Sequence, residues 1–105
     1  MPKVAVVTSV YNGEDFLEQC VHSILDQTFR DFEFIILNNG STDETAQILN
    51  QFRDPRLRII HQENLGVTRS LDKGVRMARA DLIARLDVDD YSFPNRLERQ
   101  VDFMD

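Results

Sequence analysis

Cysteine is almost absent from this chain of 105 residues, and so is any long hydrophobic run. The single Cys20 has no partner for an internal disulfide, which favours a reducing compartment, and the N-terminus lacks the length and flanks of a signal peptide. No segment approaches the roughly 20 apolar residues that cross a membrane. We therefore predict a cytoplasmic protein, which would reach the inner face of a membrane only through parts outside this chain.

Positive charge is also scarce, because 12 lysines and arginines stand against 18 aspartates and glutamates, giving a net charge of -6. An acidic chain has no general attraction for a nucleic-acid backbone, so we predict no nucleic-acid partner. A phosphate ligand stays open, since local amides, an arginine or a bound cation can supply a positive field.

Four short apolar runs alternate with segments of helical periodicity. The runs span residues 3–10, 32–37, 57–61 and 82–86, and their few polar positions are typical of buried strands. The alternation predicts one domain over residues 1–105 with an α/β fold, namely a Rossmann-like, mostly parallel sheet flanked by helices on both faces.

The helix starts can be placed from polar residues. The first helix is predicted to begin at Asn12 or Gly13, and a third follows from the apolar spacing in residues 67–78. Ser41 and Glu44 have the spacing of a capping box, which predicts the start of the second helix.

Polar clusters follow three of the four strands. In an open α/β sheet, ligands bind beyond the carboxyl ends of the strands, near the point where the strand order reverses. Strand one ends at "TSVYNGE", strand two at "NNGSTD" and strand four at "DVDDYSFP". These clusters converge on one crevice if strands one and four are neighbours.

The acidic cluster after strand four is a candidate metal site. Asp87, Asp89 and Asp90 place three carboxylates within four positions, and a cation would relieve their mutual repulsion. An all-oxygen set suits Mg or Mn. The alternative is a solvated acidic loop that caps a fourth helix at Pro94. A calcium loop of the EF-hand type lacks its required glycine and distal glutamate.

Taken singly, the other polar residues allow plain structural roles. Asn38 and Asn39 fit a turn, Tyr11 fits the rim of a site, and Arg69 fits a surface charge. His61, like the other histidine of the chain, has no catalytic or metal-binding companion in the sequence. The case for a site therefore depends on the combination of motifs.

That combination, in order, is "VYNGE", "SILDQTFRDFEFIIL", "NGSTD", "LGVTRSLDKG" and "ARLDVDDYSFPNRLE". The chain resembles, over essentially its whole length, the nucleotide-binding half of the family two glycosyltransferases, which have the GT-A fold. The resemblance implies binding of a nucleotide-diphosphate sugar, with a UDP-sugar favoured and a divalent cation, Mg or Mn. It also implies transfer of the sugar, with inversion, to a saccharide or cell-surface polymer acceptor.

The resemblance also implies a role for individual residues. It implies that Tyr11 lies at the nucleobase. Asn38 and Asn39 stand where the family usually has two aspartates, one of which accepts a hydrogen bond from uracil. Asp87 belongs to the acidic motif that, in the family, holds the ribose and the metal. The implied nucleotide-binding residues are Ser9, Tyr11, Asn38, Asn39, Arg69 and Asp87, and the implied metal ligands are Asp89 and Asp90.

Two departures from the family pattern matter. An amide can accept from N3 of uracil and donate to a flanking carbonyl, so the asparagines keep uridine recognition but weaken discrimination against cytosine. The chain also stops at Asp105, before the acceptor site and the general base of the family. We therefore expect a truncated piece of a longer enzyme that is inactive alone, with an exposed sheet edge that can pair with a second copy.

Three other readings compete with a transferase. A binding-only remnant would hold a nucleotide without transferring its sugar. A response-regulator receiver needs acidic residues after strand one and an aspartate after strand three, whereas this chain has "TSVYNGE" and "LRIIHQE" there. A dinucleotide-dependent oxidoreductase needs a G-x-G-x-x-G after strand one, which is missing.

Overall fold

Four strands form the centre of the molecule: β1 at Val4–Val10, β2 at Phe32–Asn39, β3 at Leu57–Gln62 and β4 at Leu82–Arg85. The computed structural model describes residues 2–88, 92 and 94–104. The strands lie in the order β3-β2-β1-β4, and every neighbouring pair is parallel. The predicted α/β fold with a parallel sheet is confirmed.

Helices connect the strands and follow the last one. They are α1 at Leu17–Leu25, α2 at Thr45–Leu49, α3 at Val67–Met77 and α4 at Arg96–Met104. Helix α1 begins at Leu17, after a turn over residues 14–16, so the predicted start at Asn12 or Gly13 was wrong. The left-handed φ of 52° at Asn12 excludes that residue from a right-handed helix, and Gly13 begins the turn before α1, where its carbonyl accepts the amides of Phe16 and Leu17.

Strand β2 is buried along its whole length because neighbouring strands and helices cover it on every side. Phe34 and Ile36 point into the larger core, which also receives side chains from α1, α2 and α4. Ile35 and Leu37 point to the opposite face, toward α3. Full burial of such a side chain contributes about 1.5–3 kcal/mol, so this strand anchors both layers.

Helix α3 approaches the sheet closely at a glycine. A Cβ added at Gly74 would lie 2.5 Å from Cγ1 of Val7 and 2.8 Å from Cδ2 of Leu37. This contact fixes the height of α3 above β1 and β2. It thereby fixes the polar side chains that α3 carries toward the carboxyl ends of those strands.

The amino end of the sheet is held by ion pairs. Arg58 Nη1 lies 2.9 Å from the buried Glu33 carboxylate, which also accepts the backbone amide of Arg79 at 2.8 Å. Arg56 donates to Asp54, and this hydrogen bond lowers the pKa of Asp54 below its ordinary 3.8. These pairs stabilise the end of the sheet opposite to the polar loops.

Among the described residues, no helix has the length and apolar character needed to cross a bilayer.

Candidate functional site

The carboxyl ends of the strands bring the three polar clusters to one edge of the sheet. Val10 pairs with Asn38, and Asn39 pairs with Gln62, so the ends of β1, β2 and β3 are level. Strand β4 lies beside β1, as convergence of the clusters required. The backbone amide of Leu86 continues this pairing by donating to the carbonyl of Val7 at 3.0 Å.

Asp87 is placed at this edge by the residue before it. Besides the Leu86 amide bond, the hydroxyl of the buried Thr8 donates to the carbonyl of Leu86. Strand β1 therefore holds Leu86 through one backbone hydrogen bond and one side-chain hydrogen bond, and this positions Asp87, the next residue. The predicted metal ligands Asp89 and Asp90 lie outside the described residues.

The structure describes part of the predicted acidic set. Within residues 2–88, 92 and 94–104, no group of three or more His, Cys, Asp or Glu side chains is placed to hold an ion. Asp87 is the one member of the predicted acidic set that the structure places, and it supplies carboxylate oxygen, the donor that Mg or Mn prefers.

A polar network covers the strand ends on the α3 side. Ser9 Oγ donates to Ser70 Oγ at 3.0 Å, and Gln62 Nε2 lies 3.2 Å from both Ser70 Oγ and Asn39 Oδ1. Lys73 Nζ donates to Gln62 Oε1 at 2.9 Å. The network joins β1, β2 and β3 to α3, and it brings together two predicted nucleotide-binding residues, Ser9 and Asn39.

Sequence reasoning missed three members of this network, namely Gln62, Ser70 and Lys73. Ser70 and Lys73 lie three positions apart inside "LGVTRSLDKG", a spacing that places both on one face of a helix. Gln62 was missed because strand three was predicted to end one residue earlier, at His61. The register with Asn39 is what places it in the site.

Asn39 is 2% exposed, and its carboxamide is engaged within the protein. Oδ1 accepts from the backbone amide of Leu65 at 2.8 Å and from Gln62, while Nδ2 donates to Asn64 Oδ1 at 3.3 Å. Asn64 Oδ1 also accepts from the amide of Gly66 at 2.8 Å. Asn39 thus closes the loop between β3 and α3, and one hydrogen of Nδ2 is left without a partner among the described residues.

Asn38 points to the opposite face of the sheet. Its Nδ2 lies 3.0 Å from His61 Nδ1, and His61 Nε2 lies 3.2 Å from Asn50 Oδ1. Asn50 Oδ1 can only accept, so Nε2 of His61 carries the hydrogen and Nδ1 accepts from Asn38. The Oδ1 atom of Asn38 is buried and has no partner among the described residues. The two neighbouring asparagines therefore have different surroundings.

Two other predicted residues lie on the surface near this edge. Tyr11, directly after β1, is 53% exposed. Arg69 lies in the first turn of α3, is exposed, and has no ion pair within the described part of the chain. Both side chains are accessible to a ligand bound over the strand ends.

The capping box predicted for Ser41 and Glu44 was wrong. Helix α2 begins after Glu44, and neither residue caps the other. Instead, Ser41 Oγ accepts the backbone amide of Asn12 at 2.9 Å, and the amide of Glu44 donates to Glu14 Oε2 at 3.0 Å. These groups form hydrogen bonds between the two loops, because the ends of the parallel strands β1 and β2 are adjacent.

Relatives of known sequence cover almost all of this chain. It is 39% identical over 106 residues to the putative teichuronic acid biosynthesis glycosyltransferase TuaG of Bacillus subtilis (strain 168), covering 98% of this chain and 42% of TuaG. It is 39% identical over 93 residues to the uncharacterized glycosyltransferase EpsJ of the same organism, covering 87% of this chain and 27% of EpsJ. The chain thus spans less than half the length of these curated relatives.

Solved structures share the fold. The crystal structure of S. aureus TarS in complex with UDP-GlcNAc superimposes with a TM-score of 0.90 at 25% identity, over 97% of this chain and 31% of TarS. The mannosyltransferase PcManGT from Pyrobaculum calidifontis, in complex with GDP-Man and Mn2+, gives a TM-score of 0.79 at 23% identity, over 86% of this chain and 28% of PcManGT. The sheet and its helices therefore have the GT-A architecture of these enzymes.

The family model named "Glycosyl transferase family 2" matches residues 5–105, which include the carboxyl ends of all four strands. The chain belongs to glycosyl transferase family 2.

Proposed function

We propose that this chain binds a UDP-sugar together with Mg or Mn and supplies the nucleotide-sugar site of a glycosyltransferase. The observation that carries the proposal is the convergence of Ser9, Tyr11, Asn39 and Asp87 at the carboxyl ends of three adjacent strands. Family membership supports sugar transfer as the activity. The similarity to TarS, which is solved with UDP-GlcNAc, supports uridine as the nucleoside.

In this proposal, the nucleoside lies over β1 and β2. Tyr11, exposed beyond β1, packs against the base, and the free hydrogen of Asn39 Nδ2 faces a pyrimidine carbonyl. Asn39 Oδ1 already accepts two hydrogen bonds, so it reaches N3 of uracil only by releasing Gln62. Gln62 therefore belongs to the base-recognition part of the proposed site.

The diphosphate lies toward β4 in the same proposal. Asp87, Asp89 and Asp90 form an all-oxygen donor set that suits Mg or Mn. The cation would neutralise charge on the diphosphate as a Lewis acid when bound. Arg69 brings a guanidinium that can share the same charge through hydrogen bonds.

We further propose that transfer proceeds with inversion to a saccharide or cell-surface polymer and that the protein acts in the cytoplasm. No residue of this chain is assigned as general base, and base assistance contributes about 100-fold to 10,000-fold. We therefore expect no sugar transfer by the 105-residue chain alone. The second candidate is a remnant that binds nucleotide without transferring its sugar.

A transfer assay separates the two candidates. The longest natural chain that contains this sequence is incubated with labelled UDP-sugars and saccharide acceptors, beside its Asp89→Ala variant. Labelled product from the parent and none from the variant supports the transferase. Nucleotide binding with no product from any sugar or acceptor supports the remnant.

The edge of β4 supports a homodimer as part of the proposal. Among the described residues, β4 pairs only with β1, and a groove of about 580 Å³ between β4 and α4 borders its other edge. Antiparallel pairing of two copies about Ile83 would place Asp81 opposite the partner's Arg85, twice by symmetry. It would also cover Ile83, which is 39% exposed. Charge complementarity at both ends of this short strand favours a second copy as the occupant.

A further inference from the structure

Several hydrogen bonds join the loop that follows β1 to the loop that follows β2. We call these hydrogen bonds the inter-loop network. It is formed by residues 12–14 of the first loop and by residues 41–45, which comprise part of the second loop and the first residue of α2. The first loop gives three backbone amides to side chains of the second: Asn12 to Ser41 at 2.9 Å, Gly13 to Thr45 at 3.0 Å and Glu14 to Asp43 at 3.3 Å.

The second loop returns backbone amides to side chains of the first. The Thr42 amide donates to Asn12 Oδ1 at 2.7 Å, and the Glu44 amide donates to Glu14 Oε2 at 3.0 Å. Neither α1 nor α2 has a capping side chain at its own N-cap residue. Each loop therefore satisfies backbone amides of the other loop, in the segments that precede α1 and α2, while the first amide of α2, that of Thr45, donates to Asp43 Oδ1 of its own loop at 2.9 Å.

Asn12 is the centre of this network. Its side chain accepts the Thr42 amide and donates from Nδ2 to Thr42 Oγ1 at 3.2 Å, while its own amide donates to Ser41. Among the described residues it is the one non-glycine residue with positive φ, at 52°. Asparagine tolerates that conformation better than most residues, so the position requires both the backbone freedom and the carboxamide.

The network lies directly beside proposed ligand-binding residues. Asn12 follows Tyr11 in the chain, and the second loop begins immediately after Asn39 and Gly40. A Cβ added at Gly13 would lie 3.1 Å from Cγ2 of Val88, the residue after Asp87, so the first loop also packs against the end of the β4 segment. Movement of the first loop would therefore displace Tyr11 relative to both other strand ends.

We propose that Asn12 is a positioning residue, which holds the two loops as one unit and so fixes Tyr11 for the nucleoside. This inference rests on the proposed nucleotide site. Asn12 itself touches no ligand in this account. Its effect on binding is preorganisation, because a loop that is already ordered loses less entropy when the ligand binds.

Three variants test the proposal. Asn12→Gly keeps the positive φ but removes the carboxamide, whereas Asn12→Asp keeps the oxygen that accepts the Thr42 amide. Asp54→Asn is the control, because it removes an ion pair at the opposite end of the sheet and lowers stability without contacting either loop. UDP and pyrophosphate are titrated separately into each protein with manganese present.

We expect Asn12→Gly to weaken UDP binding by roughly three- to tenfold while pyrophosphate binding stays unchanged. Asn12→Asp should recover most of the UDP affinity, and Asp54→Asn should keep all of it. UDP affinity in Asn12→Gly equal to that of the parent, or equal losses for UDP and pyrophosphate, would overturn the positioning role. Failure of the parent to bind UDP would instead refute the proposed function.

Amide hydrogen exchange tests the coupling of the loops without any nucleotide. The amides of Gly13 and Glu44 bond to Thr45 and Glu14, not to the Asn12 side chain. We expect both to exchange at least about tenfold faster in Asn12→Gly, because opening one loop exposes the other. Faster exchange at Thr42 alone would show that the loops open independently, and would overturn the proposal.

Discussion

Gln62 Nε2 lies 3.2 Å from Asn39 Oδ1 and ties the end of β3 to the end of β2. The same Oδ1 accepts the Leu65 amide at 2.8 Å, so both of its lone pairs are used. In the proposed site, nucleobase recognition by Asn39 would therefore depend on the position of Gln62. Gln62 depends in turn on Lys73, which donates to its Oε1.

Asn39→Asp should sharpen the preference for UDP over CDP by roughly three- to tenfold, since a hydrogen bond is worth about 1 kcal/mol net and more when charged. A carboxylate accepts from N3 of uracil and repels the N3 lone pair of cytosine. Competition of UDP, CDP and GDP against a fluorescent nucleotide measures the ratios. Asn95→Asp, an equal charge change on an exposed residue before α4, is the control. Unchanged ratios in a folded Asn39→Asp protein would place Asn39 away from the base edge.

Gly74→Ala should destabilise the protein by about 1–3 kcal/mol, because the new methyl group would overlap Val7 and Leu37 in a packed region. Destabilisation would be informative, because alanine is a better helix former than glycine and would otherwise stabilise α3. Denaturant unfolding measures the change. Asp72→Ala, at the neighbouring exposed position of α3, should shift the free energy of unfolding by less than about 0.5 kcal/mol. A stabilised Gly74→Ala protein would mean that α3 lies further from the sheet than described.

Asp43 should make the inter-loop network sensitive to acid. Burial opposes ionisation, but hydrogen bonds from the Thr45 hydroxyl and from the amides of Thr45 and Glu14 outweigh it and lower the pKa of Asp43 below 3.8. The stabilising contribution of the carboxylate is thus complete above that pH and is lost as the pH falls through the lower native value. Melting temperatures of the parent and Asp43→Asn, compared from about pH 7 to about pH 2.5, should converge in acid. A difference in melting temperature that stays constant across this pH range would contradict the stabilising role of the Asp43 carboxylate.

The proposed dimer should depend on opposite charges at the ends of β4. Asp81→Arg would place like charges opposite the partner's Arg85 and should shift the protein to monomer, whereas Asp81→Arg combined with Arg85→Asp should restore the dimer. Sedimentation velocity at several concentrations measures the assembly state. Asp72→Arg provides the same charge change away from the edge. A parent that stays monomeric at every concentration would refute the dimer.

The fold could be predicted from the sequence because its strands are unusually clear. The run from Phe32 to Leu37 is apolar at almost every position, and its complete burial is what such a run predicts for a central parallel strand. Cys20, which lies on an apolar stripe of α1, is likewise buried, at 1% exposed. These features depend on local patterns that tertiary contacts reinforce.

The failures at the capping box and at His61 arose where hydrogen-bond partners are distant in sequence. Ser41 and Glu44 have the spacing of a capping box, yet their partners are Asn12 and Glu14, about thirty positions earlier. Nothing in the spacing reveals that choice, because it depends on the adjacency of β1 and β2. Pairing of His61 with Asn38 and Asn50 was hidden for the same reason.

The most direct test of the central claim is calorimetric titration of UDP with and without manganese. Asp87, Asp89 and Asp90 predict that metal and UDP each raise the affinity for the other, as linkage requires. Asp89→Ala should abolish the metal-dependent part, while Asp102→Ala, an exposed carboxylate of α4, should leave it intact. We predict clearly tighter UDP binding with manganese in the parent. UDP affinity that is indifferent to manganese, in a folded protein, would contradict the metal-assisted nucleotide-sugar site.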